Sequence, residues 1–258
     1  MDWTFPLLGF VIGVMVGLTG IGGGSLMTPL LILVGGIRPV IAVGTDLLYG
    51  AITKAVGAFL HYRQGTVDLS IVWRLGIGSI PAALLGVALI DWIKGGAENG
   101  TVDRFISRAL GAVLILVALS LLLRPFRRQS SSGLTGPSQH SWRQEWLTIG
   151  VGAVVGFLVG LTSVGSGALI TASLVVVYPD LPLRRVVGTD IFHATLLAAT
   201  AGLAHLSLGT VDLTLLAGLL VGSIPGVWLG SRLAVTVPDK VLRPVLALIL
   251  LGVGYKLM

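Results

Sequence analysis

The apolar run from Phe5 to Val34 carries Gly20-Ile21-Gly22-Gly23-Gly24-Ser25 at its middle, and that glycine cluster limits what the chain can become. A straight helix of about 30 residues is roughly 45 Å long, well beyond the ~30 Å hydrocarbon core of a bilayer. Something must interrupt it. Four glycines within five residues do so, because glycine enters left-handed and extended backbone cheaply and each one weakens a helix by about 1 kcal/mol. The device returns as Thr162-Ser163-Val164-Gly165-Ser166-Gly167, inside a second long apolar run. Opened backbone at membrane depth survives only where it is packed in protein or lines a polar cavity. The two breaks are therefore read as paired halves of one binding site.

The membrane itself is required by composition. Hydrophobic residues make up 54% of the chain and charged residues 11%, with a mean hydropathy of +0.97, outside the range of soluble domains. An all-α polytopic membrane protein is expected. Met1-Asp2-Trp3 lacks the cationic start of a signal peptide, and the first apolar run is too long for one, so no cleavage is expected. There is no cysteine, which excludes disulfides, thiolate metal sites and cysteine nucleophiles. The net charge of +6 follows from the positive-inside effect. With no basic domain outside the apolar segments, nucleic acid is not a partner.

Eight apolar segments follow one another, approximately 5–34, 40–60, 69–93, 105–123, 146–177, 186–205, 213–233 and 241–257. Residues 124–144 form a basic, serine-containing linker between a first repeat, 1–123, and a second, 145–258. The repeats are homologous. Val16-Gly-Leu-Thr19 matches Val159-Gly-Leu-Thr162, and Gly44-Thr45-Asp46 matches Gly188-Thr189-Asp190. Gly65-Thr-Val-Asp68 matches Gly209-Thr-Val-Asp212, and Gly78-Ser-Ile-Pro81 matches Gly222-Ser-Ile-Pro225. The offset is 143 at the first match, Thr19 to Thr162, and 144 at the rest, as from Asp46 to Asp190. If each broken segment is a re-entrant hairpin, each half adds three transmembrane helices and the repeats are inverted. Most of the Lys and Arg then fall on the linker side, which places the linker in the cytoplasm and both termini outside.

A broken helix exposes N–H groups at the start of its second half, where the macrodipole also favours negative charge. Gly22, Gly23, Gly24 and Ser25 are thus candidates to cradle an anion, as are Gly165, Ser166 and Gly167 with Ala168 from the other repeat. The competing reading is close helix packing, which suits Gly86 and Gly230. A dinucleotide fingerprint is excluded by the lack of a preceding strand. Asp46 and Asp190 lie inside apolar helices, where an ionised carboxylate costs several kcal/mol and is a functional candidate by default. Each follows a threonine, Thr45 or Thr189, able to hydrogen-bond locally; the competing role is to cap opened backbone. Lys54, mid-helix, is a candidate to offset substrate charge or to pair with Asp46 two turns earlier, or else it snorkels. Its counterpart is Ala198. His193, nearly one turn after Asp190, is placed to share its proton. His61 and His205 read as interfacial. No metal-ligand cluster or nucleophile–base pattern is present, and no cofactor is expected.

Taken in order, Gly20-Ile-Gly-Gly-Gly-Ser25 with Pro29, Ala42-Val-Gly-Thr45, His61-Tyr-Arg-Gln-Gly65-Thr-Val-Asp68 and Gly78-Ser-Ile-Pro81 resemble the sulfite exporter TauE/SafE family. The resemblance spans both halves. It implies a multi-pass transporter of the bacterial or archaeal inner membrane carrying a small sulfur oxyanion, such as sulfite, thiosulfate or an organosulfonate. The resulting expectation is an ion-coupled secondary transporter with alternating access. The glycine breaks, the hydroxyls of Ser25, Thr28, Ser166 and Thr171, and Lys54 hold the anion, while Asp46 or Asp190, aided by His193, carries a proton. Two other readings stand beside it. One is an intramembrane aspartyl protease with a shared-proton dyad, although inverted repeats separate the carboxylates by roughly 10 Å along the membrane normal. The other is a passive anion channel.

Overall fold

A computed structural model describes residues 4–19, 24–96, 100–123, 141–234 and 239–258. The described residues form ten helices and no strand: α1 Thr4–Thr19, α2 Gly24–Leu33, α3 Pro39–Arg63, α4 Leu69–Gly96, α5 Thr101–Leu123, α6 Trp142–Thr162, α7 Ala168–Val177, α8 Leu183–Ser207, α9 Leu213–Ala234 and α10 Asp239–Leu257. Gly22 and Gly23, and nearly all of the linker, lie outside the described residues. Gly24 begins α2. The linker's last residues already belong to α6, which starts at Trp142, ahead of the apolar run at 146.

The ends of these helices follow from local chemistry. Pro39 opens α3 after Arg38 in extended backbone, and Pro182 takes the equivalent N-cap position before α8. Gly65 and Gly209, with φ of 67° and 65°, let the chain turn sharply after α3 and α8, as a left-handed residue beyond a helix end does. Asp68 and Asp212 then cap α4 and α9. Asp68 Oδ1 accepts the N–H groups of Ser70 and Ile71, and Asp212 Oδ1 accepts those of Thr214 and Leu215, which satisfies otherwise orphaned donors.

Packing runs between the halves in reciprocal pairs: α1 lies on α9, α6 on α4, α3 on α8 and α5 on α10. Glycine makes the approach possible. A Cβ on Gly152 of α6 would come within 2.5 Å of Leu75 O on α4, and one on Gly86 of α4 within 2.8 Å of Phe157 O on α6. The same contact recurs where Gly9 and Gly13 of α1 meet the backbone of Leu219 and Ser223 on α9, each at 2.6 Å. Gly111 and Gly254 face one another across α5 and α10. In a bilayer, such backbone proximity replaces the hydrophobic drive that lipid does not supply.

Among the described residues six helices are long and apolar enough to cross a membrane: α3, α4, α5, α6, α8 and α9. The hairpin topology also expects six crossings, but with the segment at 241–257 in place of α6. The difference has a simple source, since α6 runs unbroken for 21 residues, ~31 Å at helical rise, before its break. Large apolar side chains cover the outside, with Trp73, Trp92, Val176 and Ile224 all more than two-thirds exposed, as a multi-pass membrane protein requires.

The α4–α6 contact gives a direct test. Gly156→Leu drives a side chain into the Ser79 backbone and is expected to cost 3 kcal/mol or more, at or above the usual ~1–3 kcal/mol of overpacking. Gly150→Leu, on the same helix with nothing within 4 Å of its Cβ, is expected to leave thermal unfolding in detergent near wild type.

A buried polar cluster around the α6–α7 break

The matched glycine–threonine–aspartate motifs place the carboxylates. Gly44 sits against the backbone of Thr210, and Gly188 lies against Thr66 O at 2.7 Å, measured to a Cβ built on the glycine. Neither position has room for a side chain. The next residue locks the contact, for Thr45 Oγ1 accepts the Asp212 N–H at 3.1 Å and Thr189 Oγ1 accepts the Asp68 N–H at 2.9 Å. The threonines thus bond across to the other half rather than locally. Their neighbours Asp46 and Asp190 are turned inward and are 1% and 5% exposed.

His61 and His205 belong to this interlock. Each Nδ1 lies 2.8 Å from the hydroxyl of the threonine in its own turn, Thr66 or Thr210. His205 Nε2 also lies 3.0 Å from Gly160 O. His205 is fully buried, which corrects the interfacial reading: the α6–α4 contact closes over it.

Asp46 Oδ2 accepts two hydroxyl hydrogen bonds, from Thr28 of α2 at 2.5 Å and from Ser163 at 2.9 Å. Oδ1 is buried and has no hydrogen-bond partner among the described residues. Ser163 caps the end of α6 and is the one non-glycine residue with positive φ, 62°, among those described. A side chain in that conformation is uncommon and costs energy. It is held there by the carboxylate that it touches. Asp190 Oδ2 accepts the hydroxyl of Thr171 on α7 at 2.5 Å, so Thr28 and Thr171 occupy equivalent places beside the two acids.

Lys54 turns to the other side of the same break. Its Nζ donates to Ser166 Oγ at 3.3 Å, across 112 residues, and no ion pair joins it to Asp46. Both carboxylates nevertheless act on its charge. His193 Nε2 lies 2.8 Å from Ser79 Oγ on α4, and its Nδ1 has no partner among the described residues. Tyr49 occupies the repeat position of His193, is 1% exposed, and its hydroxyl lies toward Ser223, the counterpart of Ser79. Ser25 is buried in the first turn of α2.

The cluster therefore gathers Asp46, Thr28 and Ser163; Asp190 and Thr171; Lys54 and Ser166; and His193 with Ser79. Ser163, Ser79 and Tyr49 were not among the residues singled out from sequence. Ser163 and Ser79 both lie in motifs that the repeat highlights, and Tyr49 is signalled by its register with His193. No group of three metal-binding side chains occurs among the described residues. An outward groove between α5, α6 and α7 is lined by Trp142, Trp146, Leu116 and Leu169 and by none of the cluster's acids or Lys54.

A family model described as sulfite exporter TauE/SafE matches residues 5–257. The chain belongs to the TauE/SafE family. Its similarity to the probable membrane transporter protein YjnA of Bacillus subtilis is 42% identity over the whole of both chains. It is 27% identical to the probable membrane transporter protein YdhB of the same organism over 92% of each chain, and 26% identical to a probable membrane transporter protein of Haemophilus influenzae over 88% of this chain and 83% of that one. No solved structure matches the chain. Membership makes this a multi-pass membrane transporter, so the interlock and the buried cluster are parts of a transport protein.

Thr189→Val keeps the shape of the side chain but leaves the Asp68 N–H without its acceptor. It is expected to cost about 1–3 kcal/mol in thermal or denaturant unfolding. Thr53→Val, which removes a bond to a carbonyl of its own helix at an exposed position, is expected to stay within ~0.5 kcal/mol of wild type.

Proposed function

We propose that the chain is a secondary transporter of a small sulfur-containing anion, sulfite, thiosulfate or an organosulfonate, ion-coupled and working by alternating access. The observation that carries this reading is the reach of Lys54 to Ser166 at the amino end of α7. A cationic side chain, a hydroxyl that donates to no acceptor among the described residues, and the positive end of a helix converge there, and that combination favours an anion. Gly165 and Gly167 keep the approach open. In the first repeat the corresponding sequence is Gly22-Gly23-Gly24-Ser25, which this reading assigns to the same anion site. Thr28 and Thr171 have each given their single hydroxyl hydrogen to a carboxylate, so in this account they orient Asp46 and Asp190 rather than grip the substrate.

The coupling charge resides on Asp46, Asp190 and His193, with a proton on Asp190 one helical turn from the His193 ring. A hydrogen-bonded carboxylate beside a histidine can release and regain a proton as its surroundings open to either side. The halves act as inverted repeats with re-entrant broken segments, the linker in the cytoplasm and both termini outside an inner membrane. Support comes from the reciprocal pairing of α1 with α9 and α6 with α4, which is what a two-fold relation between halves produces. A shared-proton protease dyad fits less well, because Asp46 faces two hydroxyls instead of the second acid. A passive channel would need an open path, whereas Asp46, Asp190 and His193 are buried.

The test is uptake of radiolabelled sulfite into proteoliposomes with a defined pH gradient and clamped voltage. Saturable flux that thiosulfate or taurine competes for, and that collapses with the gradient, is expected. Asp190→Asn is expected to abolish gradient coupling while sulfite still binds. Undiminished proton-driven flux in that variant would overturn the proton's place, and no flux above empty liposomes would remove the substrate class. Conductance far above carrier turnover would identify a channel.

A further inference from the structure

The break between α6 and α7 presents two helix ends of opposite sign. At its start, Ser163 ends α6, where the carbonyl groups and the macrodipole are negative. A buried carboxylate, Asp46, meets it there. At its finish, Ser166 lies at the positive end of α7 and meets Lys54. Like therefore meets like at each end. Two negative elements in a buried place call for a cation, as two positive ones call for an anion.

The hydrogen bonds around Asp46 indicate which kind of cation. Thr28 and Ser163 each carry one hydroxyl hydrogen, and both hydrogens point to Asp46 Oδ2. What the hydroxyls have left are lone pairs, which are ligands for a cation and useless to an anion. Among the described residues no hydrogen-bond donor reaches Asp46 Oδ1, a buried acceptor in a residue 1% exposed. A proton on Oδ1 would remove the charge but would engage none of the hydroxyl lone pairs. A metal cation satisfies Oδ1 and the hydroxyl oxygens together. Hard oxygen ligands with no nitrogen or sulfur suit an alkali or alkaline-earth ion. One carboxylate, with Lys54 nearby and Asp190 engaged by Thr171, balances a single charge better than two.

We propose that Asp46, Thr28 and Ser163 form a sodium site at the carboxyl end of α6, adjacent to the anion site at the amino end of α7. This rests on the anion-carrier reading above and specifies its coupling. Ser163 and Ser166 are three residues apart, so the two subsites lie within about 11 Å. Opposite charges at that separation attract through a low-dielectric interior enough to change affinity by roughly tenfold. By linkage, sodium tightens anion binding and the anion tightens sodium binding by the same factor. The two ions then move together, which makes sodium a co-transported partner and not an exchanged one.

The experiment is equilibrium binding of radioactive sodium to the purified full chain in detergent, with choline holding ionic strength constant, in the presence and absence of sulfite. Saturable sodium binding that sulfite strengthens roughly tenfold is expected. Asp46→Asn is expected to lose it. Because Asp46→Asn can fail to fold, Ser163→Ala serves as a second variant, expected to weaken sodium several-fold while circular dichroism and thermal unfolding in detergent show a folded chain. Sodium binding that is absent in the wild type, or unchanged in both variants, overturns the site. Sulfite binding and transport that persist without sodium would sink this inference alone. Sodium binding without any effect of sulfite would leave the cation site standing and count against the anion-carrier reading and the pairing of the two ions.

Discussion

The hydrogen bond from Ser163 to Asp46 is the contact on which the rest of the site depends. It holds a non-glycine residue in left-handed backbone, ends α6 at that point, and so fixes where α7 can begin. Were α6 to continue, Ser166 would lie on its next turn and the amino end that meets Lys54 would not exist. An interrupted helix is costly in a bilayer because its free N–H and C=O groups have no water to bind. The chain seats both free ends in protein, with a carboxylate beside the carboxyl end of α6 and an ammonium group beside the amino end of α7. The interruption is thus a source of local charge as well as of flexibility.

Around this break the halves are tied by exchange. Each half lends its post-helix turn to the other half's glycine–threonine–aspartate motif, through Thr45 with Asp212 and Thr189 with Asp68. The carboxylate that faces the cluster is one residue from the threonine that grips the other half. In the proposed carrier, a change in the ionic state of Asp46 or Asp190 would act one peptide away from an inter-half contact. The glycine faces of α1 and α9, and of α4 and α6, bring the two halves into backbone contact. Transport by rocking of the halves, as proposed above, would keep this interlock as its centre.

Much of this is legible in the sequence, for identifiable reasons. Glycine clusters in an apolar run and lone carboxylates in apolar helices are conspicuous because each is expensive in lipid. The repeat is legible because polar residues recur in register. What is not legible is partnership. Thr28 and Thr171 read as anion ligands from their place beside the breaks, but their hydroxyls turn to the acids, which only the crossing of α2 over α3 and of α7 over α8 reveals. Lys54 lies two turns from Asp46 on one face, yet it reaches 112 residues along the chain to Ser166. His205 reads as interfacial at a helix end because its cover, α6, is remote in sequence. The span of α6 is obscured by its polar first turn, where Trp142 to Glu145 already belong to the helix.

The central claim is that an anion sits where Lys54 meets the amino end of α7. Equilibrium binding of radiolabelled sulfite to the purified chain, wild type against Lys54→Met, tests it most directly. The account predicts that Lys54→Met lowers affinity at least about tenfold, as loss of a charge-assisted contact does, while Lys94→Met, at an exposed helix end, leaves it unchanged. Sulfite binding of wild-type strength in Lys54→Met would contradict the account.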